Sequence, residues 1–492
     1  MAAHKIDHAA LWANPKYFAQ VPLAGKITPP PETSSVQEQV ISVAKQLLGD
    51  SYKLNEEIVA VPKGDGFEVY NILTQLLPVL SEQSKWYWEK AANSLASMLE
   101  SAKYPIHSQT SHLIFWWARL GGINGPTVKG TTKEEITECT RDGACTEFSW
   151  VVPRDTDPTS PCNRKIRFAI DPFHPDTKTR LAGGATSDYL WSDVGGMGLD
   201  TIEKWLFPNL ETNEQVVPGC TYFIGFDLNP NGSITLKHYF MPPAPDPNVD
   251  PVFKGTVNRL TSDLSPWKGV CETLHPTLLE PLAFVMDYLS NEGKDSGMMF
   301  AMMAFDSCPV EKNRLKLYLW TPKHTIKDIV GNMTMGGKLK GPKVDAAMDD
   351  LRKLCKHLFP YATDEKVELK NQHVIDDVPD AYAEGDPGRH DCGLLYYYEL
   401  FAGEPLPFPK VYFLMDFFGK DDLSTAKGVE AYLTEVGKPG EKGWFVNDLV
   451  RANPHRAKDW GTRTGTATAL AFGLTPSGCD LTGYYSSEVF RR

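Results

Sequence analysis

The chain has 492 residues, with 62 acids against 50 bases and a formal charge of −12. That balance excludes a general nucleic-acid binder, which needs a basic face to displace counter-ions from phosphates. With 42% hydrophobic and 23% charged residues, the composition is that of a soluble globular protein able to bury a large core. Length alone suggests about three domains, a rule that large barrels break.

In chain order, residues 1–35 end in Pro29-Pro30-Pro31 and are expected to be a loosely structured lead-in. Residues 36–492 are expected to form a single domain. Trp86, Ala92, Leu95, Met98 and Leu99 recur at helical spacing within Lys85 to Tyr104, and His112 to Leu120 predicts a second packed helix. Strands follow in pairs. Thr146 to Val152 precedes Lys165 to Ile170, and Cys220 to Leu228 precedes Ser233 to Met241 across Asn229-Pro230-Asn231-Gly232. Met298 to Phe305 precedes Arg314 to Trp320, Leu394 to Phe401 precedes Lys410 to Phe417, and Ala467 to Leu474 precedes Asp480 to Ser486. Further helices are expected over Pro276 to Asn291, Val344 to Leu358 and Ser424 to Glu435.

No apolar stretch approaches the roughly 20 residues that span a bilayer, and Met1 to Gln20 has no signal-peptide core. The nine cysteines are scattered, odd in number and without C-x-x-C, which argues against a disulfide framework or structural zinc. A cytoplasmic protein without nucleic-acid or membrane partners is expected, as a monomer or homodimer.

The second strands of the five hairpins, anchored at Arg167, Lys237, Arg314, Lys410 and Asp480, lie 70, 77, 96 and 70 residues apart. A unit of two helices and a hairpin, repeated about five times, would account for most of the chain. Its ten antiparallel strands suit an α/β architecture in which helices ring a closed barrel. An open sheet with helices on one face would give the same pattern.

Side chains alternate across a strand. Arg314, Lys316 and Tyr318 therefore share one face, as do Lys237 with Tyr239 and Lys410 with Tyr412. Arg167 holds the like place in the first hairpin. If helices cover the leucine face, five cations converge in the lumen and would repel one another unless an anion sits among them. A phosphate or diphosphate fits best, with arginine binding bidentately and lysine as a point charge. Tyr239, Tyr318, Tyr412 and Tyr484 would enclose a carbocation through their ring faces and exclude water. The plainer reading has the cations solvated and the tyrosines packed cross-strand.

Asp376-Asp377-Val378-Pro379-Asp380 matches D-D-x-x-D, but the proline works against the helix that magnesium binding needs. Gly195-Gly196-Met197-Gly198 and Gly336-Gly337-Lys338 lack a nucleotide-loop context, and the His4–His8 pair lacks the glutamate of H-E-x-x-H. No metal site is expected.

Taken together, these motifs resemble those of the fungal aromatic (indole) prenyltransferases of the dimethylallyltryptophan synthase family. The resemblance runs from Trp86 to Tyr485. It is carried by Lys85-Trp86-Tyr87-Trp88 with Met98-Leu99-Glu100, by Gly143-Ala144-Cys145-Thr146-Glu147-Phe148-Ser149, and by Ile166-Arg167-Phe168 before Asp171-Pro172. It continues in Leu236-Lys237-His238-Tyr239, Arg314-Leu315-Lys316-Leu317-Tyr318 and Pro409-Lys410-Val411-Tyr412-Phe413.

The resemblance implies an α-β-β-α prenyltransferase barrel of ten antiparallel strands. It implies transfer of a dimethylallyl or longer prenyl group from its diphosphate to an indole or other aromatic small molecule of secondary metabolism. No cofactor is implied; the prenyl diphosphate is a co-substrate. Arg167, Lys237, Arg314, Lys316 and Lys410 match diphosphate-gripping positions, and the four tyrosines match the cation shield. Glu147 matches the acidic residue that accepts a hydrogen bond from indole N–H. Phe223 stands where tryptophan C4-prenylating members hold a lysine, and Asp480 falls at a shield position usually tyrosine. Lys410 replaces a common glutamine. An indole diketopiperazine, another indole, or a phenolic or polycyclic acceptor therefore stands open beside free tryptophan. From another class, a non-catalytic barrel binding an anionic small molecule remains the rival. Inside a cationic lumen Glu147 is expected to be ionised, with a structural pair to Arg167 as its alternative role.

Overall fold

The computed structural model describes residues 7–21, 27–130, 137, 139–140, 142–153, 156–181, 183, 186, 189–190, 222–241, 265–359, 393–418, 421–438 and 442–492. Ten strands form one closed antiparallel barrel: β1 (Thr146–Pro153), β2 (Lys165–Ile170), β3 (Tyr222–Leu228), β4 (Ile234–Phe240) and β5 (Met299–Asp306), then β6 (Arg314–Thr321), β7 (Leu394–Phe401), β8 (Phe408–Leu414), β9 (Ala467–Thr475) and β10 (Gly478–Ser486). Each pairs with its chain neighbours, and β10 returns to β1 with Glu147 opposite Ser486 and Ser149 opposite Tyr484. Closure rules out the open sheet and leaves no edge exposed.

The alternation of side chains divides the interior into two compartments. Outward residues such as Phe148, Phe168, Phe226, Leu315, Leu317 and Phe472 pack beneath the helices as the main core. The helix Ile106–Phe115, continued by a wider-wound turn Trp116–Leu120, lies across β1–β3. There Trp116 meets Phe168 at 5.2 Å between ring centroids, and Phe168 stacks on Phe226 at 4.6 Å. Inward residues Tyr318, Tyr397, Tyr412, Ala304, Ala469 and Ala471 form a separate cluster inside the barrel.

This helix begins six residues before the expected His112. Its first turns bury Ser108, Gln109, Thr110, Ser111 and His112, so apolar periodicity does not reveal them. Hydrogen bonds make the burial possible: Gln109 Nε2 donates to Tyr104 O at 2.7 Å, and His112 Nε2 meets Asn229 O at 3.0 Å. The β3–β4 turn is held as its sequence suggests, with Gly232 at φ +87°. The eighth strand stops at Leu414 rather than Phe417, because Met415–Phe418 turns helical. That turn buries Met415 and sets Phe418 against Phe359 and His324 outside the barrel.

Part of the expected loose lead-in packs against the body, within residues 11–21, while residues 28–35 are mostly exposed. Phe18 and Ala19 are fully buried, and Trp12 stacks on Tyr189 at 4.4 Å. At the other end of the chain, buried Arg456 bridges Asp422 (2.5 Å) and Glu488 (2.9 Å) and donates to Thr466 Oγ1 at 2.8 Å. This pins the β9 entrance and the segment after β10 to the helix Asp422–Glu435. No disulfide occurs among the described residues, and none of their helices is long and apolar enough to cross a membrane.

Candidate active site

The lumen holds a cavity of about 500 Å³. Its wall is layered by the position of inward residues along each strand, counted away from the hairpin turns. Nearest the hairpin turns is a layer of charge: Arg167 lies opposite Asp227, Lys237 opposite Asp306, and Lys316 opposite Glu399. In mid-barrel the phenols of Tyr239, Tyr318, Tyr397, Tyr412 and Tyr484 follow. At the far end stand Glu147, Phe223, Trp320, Leu395 and Leu414, together with Thr468.

The five expected cations do converge, but not as naked charges. Four carboxylates are interleaved with them. Asp227 holds Lys237, Arg167 (3.1 Å) and Lys165 (2.8 Å). Arg314 lies between Asp306 (2.6 Å) and Glu399 (2.7 Å), Lys316 is 3.4 Å from Asp306, and Lys410 pairs with Asp480 at 2.8 Å. Side-chain exposure of only 3–5% at Lys237, Lys316 and Lys410 makes such partners necessary. Burial alone would raise Asp227, yet Arg167, Lys237 and Lys165 hold its carboxyl well below the usual range. Asp306 and Glu399 are likewise held low against burial, chiefly by Arg314 and Lys316. Burial pulls the ammonium groups of Lys237 and Lys316 down. Asp480 therefore belongs to the charged layer, not to the phenol layer where its alignment put it.

The phenols form one contiguous surface. Ring centroids lie 5.3 Å apart for Tyr318–Tyr397, 5.8 Å for Tyr397–Tyr412 and 5.4 Å for Tyr412–Tyr484, with Tyr239 6.2 Å from Tyr318. Burial pushes all five hydroxyls above their ordinary value, so they stay neutral. Tyr397 was not among the residues picked from sequence. The alternation Leu395, Tyr397, Glu399, Phe401 marks it once β7 is paired with β6, which sets Tyr397 opposite Tyr318.

Glu147 departs from both expectations. It lies opposite Ala169, while Arg167 turns to Asp227, so there is no Glu147–Arg167 pair. The cations stand at the other end of the lumen, and burial pushes the Glu147 carboxyl up to about 7. The hydrogen bond from Thr468 Oγ1 to Oε1, at 2.6 Å, opposes that rise. Thr468 reaches it through a β-bulge: Tyr484 pairs with Ala469 and Tyr485 with Ala467, leaving Thr468 as the extra residue. Sequence alternation carries no mark of that bulge. Phe223 lines the same end and lies opposite Tyr239.

Gly336 and Gly337, at φ +68° and +87°, form a turn whose Lys338 pairs with Asp287 and Glu292, not a phosphate loop. The Asp376–Asp380 and Gly195–Gly198 motifs and His4 lie outside the described residues. Among the described residues no group of His, Cys, Asp and Glu is arranged to hold a metal ion.

A ten-stranded barrel ringed by helices, with its polar chemistry inside, is the α-β-β-α barrel of the prenyltransferases. Solved structures share this fold. The crystal structure of NotF in complex with brevianamide F and DMSPP matches at TM-score 0.64 and 18% identity, covering 87% of this chain and 99% of that one. AnaPT from Neosartorya fischeri matches at 0.62 and 18%, covering 85% and 97%. Among curated proteins, prenyltransferase nscD of Neosartorya fischeri is 26% identical over 447 residues, covering 86% of this chain and 91% of that protein. The DMATS-type prenyltransferase fscG of Fusarium equiseti is 25% identical, covering 86% and 96%. Residues 83–447 match the family model described as tryptophan dimethylallyltransferase, and the chain belongs to that family. It is an aromatic prenyltransferase whose substrates are a prenyl diphosphate and an aromatic small molecule.

Proposed function

We propose that the donor diphosphate rests against Arg167, Lys237, Arg314, Lys316 and Lys410, with its allyl carbon among the phenols and a neutral aromatic acceptor at the Glu147 end. The observation that carries this reading is the axial order of charge, phenol and carboxylate in one lumen. Cleavage of the carbon–oxygen bond leaves negative charge on diphosphate beside the cations and positive charge on the allyl group against the ring faces. The arene then attacks, and the proton lost on rearomatisation passes to Glu147 in its ionised form or to water. Among the described residues lining the Glu147 end there is no lysine or arginine to receive the carboxylate of a free amino acid. Phe223, Trp320, Leu395 and Leu414 instead favour a flat, uncharged acceptor such as a cyclic dipeptide indole or a hydroxylated polycycle.

The test is incubation with dimethylallyl diphosphate and a panel of tryptophan, indole diketopiperazines and polycyclic phenols, read by mass spectrometry. Gain of one prenyl unit on a neutral acceptor supports the reading. Donor binding with no transfer to any acceptor would support a non-catalytic binder. The reaction is also proposed to need no metal: turnover in excess chelator should match turnover without it.

A further inference from the structure

Carboxylates flank the Arg314 guanidinium on two sides. Its Nε and Nη2 both lie 2.6 Å from Asp306 Oδ2, and its Nη1 lies 2.7 Å from Glu399 Oε1. A bidentate arginine–phosphate contact needs two adjacent N–H groups facing one anion. Asp306 holds one edge through two nitrogens and also lies 3.4 Å from Lys316. Glu399 faces Nη1 as an ion pair whose Oε1 accepts no hydrogen bond, is 3.7 Å from Lys316, and sits two residues from Tyr397 at the border with the phenol layer. Glu399 is thus the carboxylate with the weaker hold, placed on the side from which a diphosphate must approach.

Charge counting points the same way. Arg167, Lys237, Arg314, Lys316 and Lys410 line the lumen, and partly exposed Lys165 pairs with Asp227 beside them; against Asp227, Asp306, Glu399 and Asp480 these leave a surplus of two positive charges. A fully ionised prenyl diphosphate brings three negative charges. One uncompensated charge in a low-dielectric interior is expensive, and buried groups respond by changing protonation.

We propose that Glu399 is the resting counter-ion of the donor site: it occupies the Arg314 edge that receives diphosphate, and it gives way by taking up a proton when the donor enters. This rests on the donor placement proposed above. The groups facing Glu399 set the direction. From β6 come Arg314 and Lys316, from β8 Lys410, from β5 Asp306, and on β7 itself the neutral Tyr397. In the empty site burial would raise Glu399, but the three cations outweigh it and keep the carboxyl ionised. Bound diphosphate takes over those cations, Asp306 remains as a like charge, and burial then favours the protonated acid. Glu399 is on this account a positioning residue that keeps Arg314 aimed and buried between turnovers.

The experiment is isothermal titration of the full chain with the unreactive dimethylallyl S-thiolodiphosphate at pH 8.0, in two buffers of different ionisation enthalpy. The wild-type chain is expected to take up between about 0.5 and 1 proton per ligand, and its Kd to rise up to about ten-fold per pH unit above pH 7.5. In Glu399→Gln the uptake should fall to near zero and Kd should become almost independent of pH, without weakening at pH 8.0. Glu399→Asp, which keeps the acid, should restore the uptake. Binding with no proton uptake by the wild-type chain overturns the proposal while leaving the donor site standing. Undiminished uptake in Glu399→Gln also overturns it, assigning the proton to another group such as Lys237. No binding at all overturns both this proposal and the donor placement.

Discussion

Glu147 gives the sharpest test of the acceptor end, because its fold effect and its catalytic effect have opposite signs. Its carboxyl is raised from an ordinary 4.5 to about 7 by burial. That rise corresponds to about 3 kcal/mol in favour of the protonated acid. The group is only half-buried on the lumen side, so about 1–3 kcal/mol is the expected range. A carboxyl whose folded value lies above its unfolded value favours folding fully below about pH 4.5, and that contribution is lost as pH rises to 7. Glu147→Gln cannot ionise. At pH 8 it should therefore melt higher than the parent chain, on the order of 1–2 °C per kcal/mol for a chain of this size, and the gap should close near pH 5. Turnover should move the other way. The parent chain should gain kcat/KM as pH rises through about 7, and the variant should lose that limb and about 10²-fold or more in rate. Differential scanning fluorimetry at pH 5 and 8, with initial rates from pH 5.5 to 8.5, measures both. A Gln variant that melts lower at pH 8 while keeping its turnover and its pH limb would refute the assignment.

Lys237→Ala and Arg314→Ala should each weaken donor use at least about ten-fold, about 1.4 kcal/mol, while acceptor KM changes less than about two-fold; unaltered donor kinetics in both would place the diphosphate elsewhere. Tyr397→Ala opens the phenol wall beside Tyr318 and Tyr412, so the fraction of donor lost to water as prenyl alcohol should rise several-fold, whereas Tyr397→Phe keeps the ring and should leave it unchanged. Quantifying alcohol against prenylated product decides between them. Arg456→Ala removes the cation that pairs with buried Asp422, while Glu488 keeps Arg463, so stability in urea should fall by about 3–5 kcal/mol, with turnover per folded molecule retained.

The sequence was informative wherever one face of a strand was apolar and the other carried a distinctive group. Arg314, Lys316 and Tyr318 against three leucines define both the strand and its lumen side, whereas β9 was legible only as an apolar run ahead of the turn Pro476-Ser477-Gly478. Carboxylates were harder to place, since an Asp or Glu near a strand end reads as a turn residue. Asp306 falls just past the apolar run of β5, and Glu399 hides behind Tyr396-Tyr397-Tyr398. Thr468 was illegible for another reason: a bulge breaks the period-two rule on which facing is judged. The buried polar turns of the helix from Ile106 escaped because hydrogen bonding, not hydrophobicity, stabilises them.

The return of β10 to β1 carries a consequence for how the chain comes into being. Nine of the ten strand pairings join neighbours along the chain, but the seam joins residues as distant as Glu147 and Ser486. On a growing polypeptide, therefore, β1 has no β10 to pair with, however much of the intervening sheet has formed. Thr146–Pro153 remains an unpaired, β-prone edge until the last hairpin has been synthesised. Bringing those ends together through an unstructured chain would cost on the order of 5 kcal/mol in entropy, and prior zippering of the intervening strands removes most of that cost. Tyr484 and the bulged Thr468 both lie on the closing hairpin. The nascent protein thus lacks a complete phenol wall and the hydroxyl that meets Glu147 until the moment the ring shuts, so closure and competence arrive in a single step.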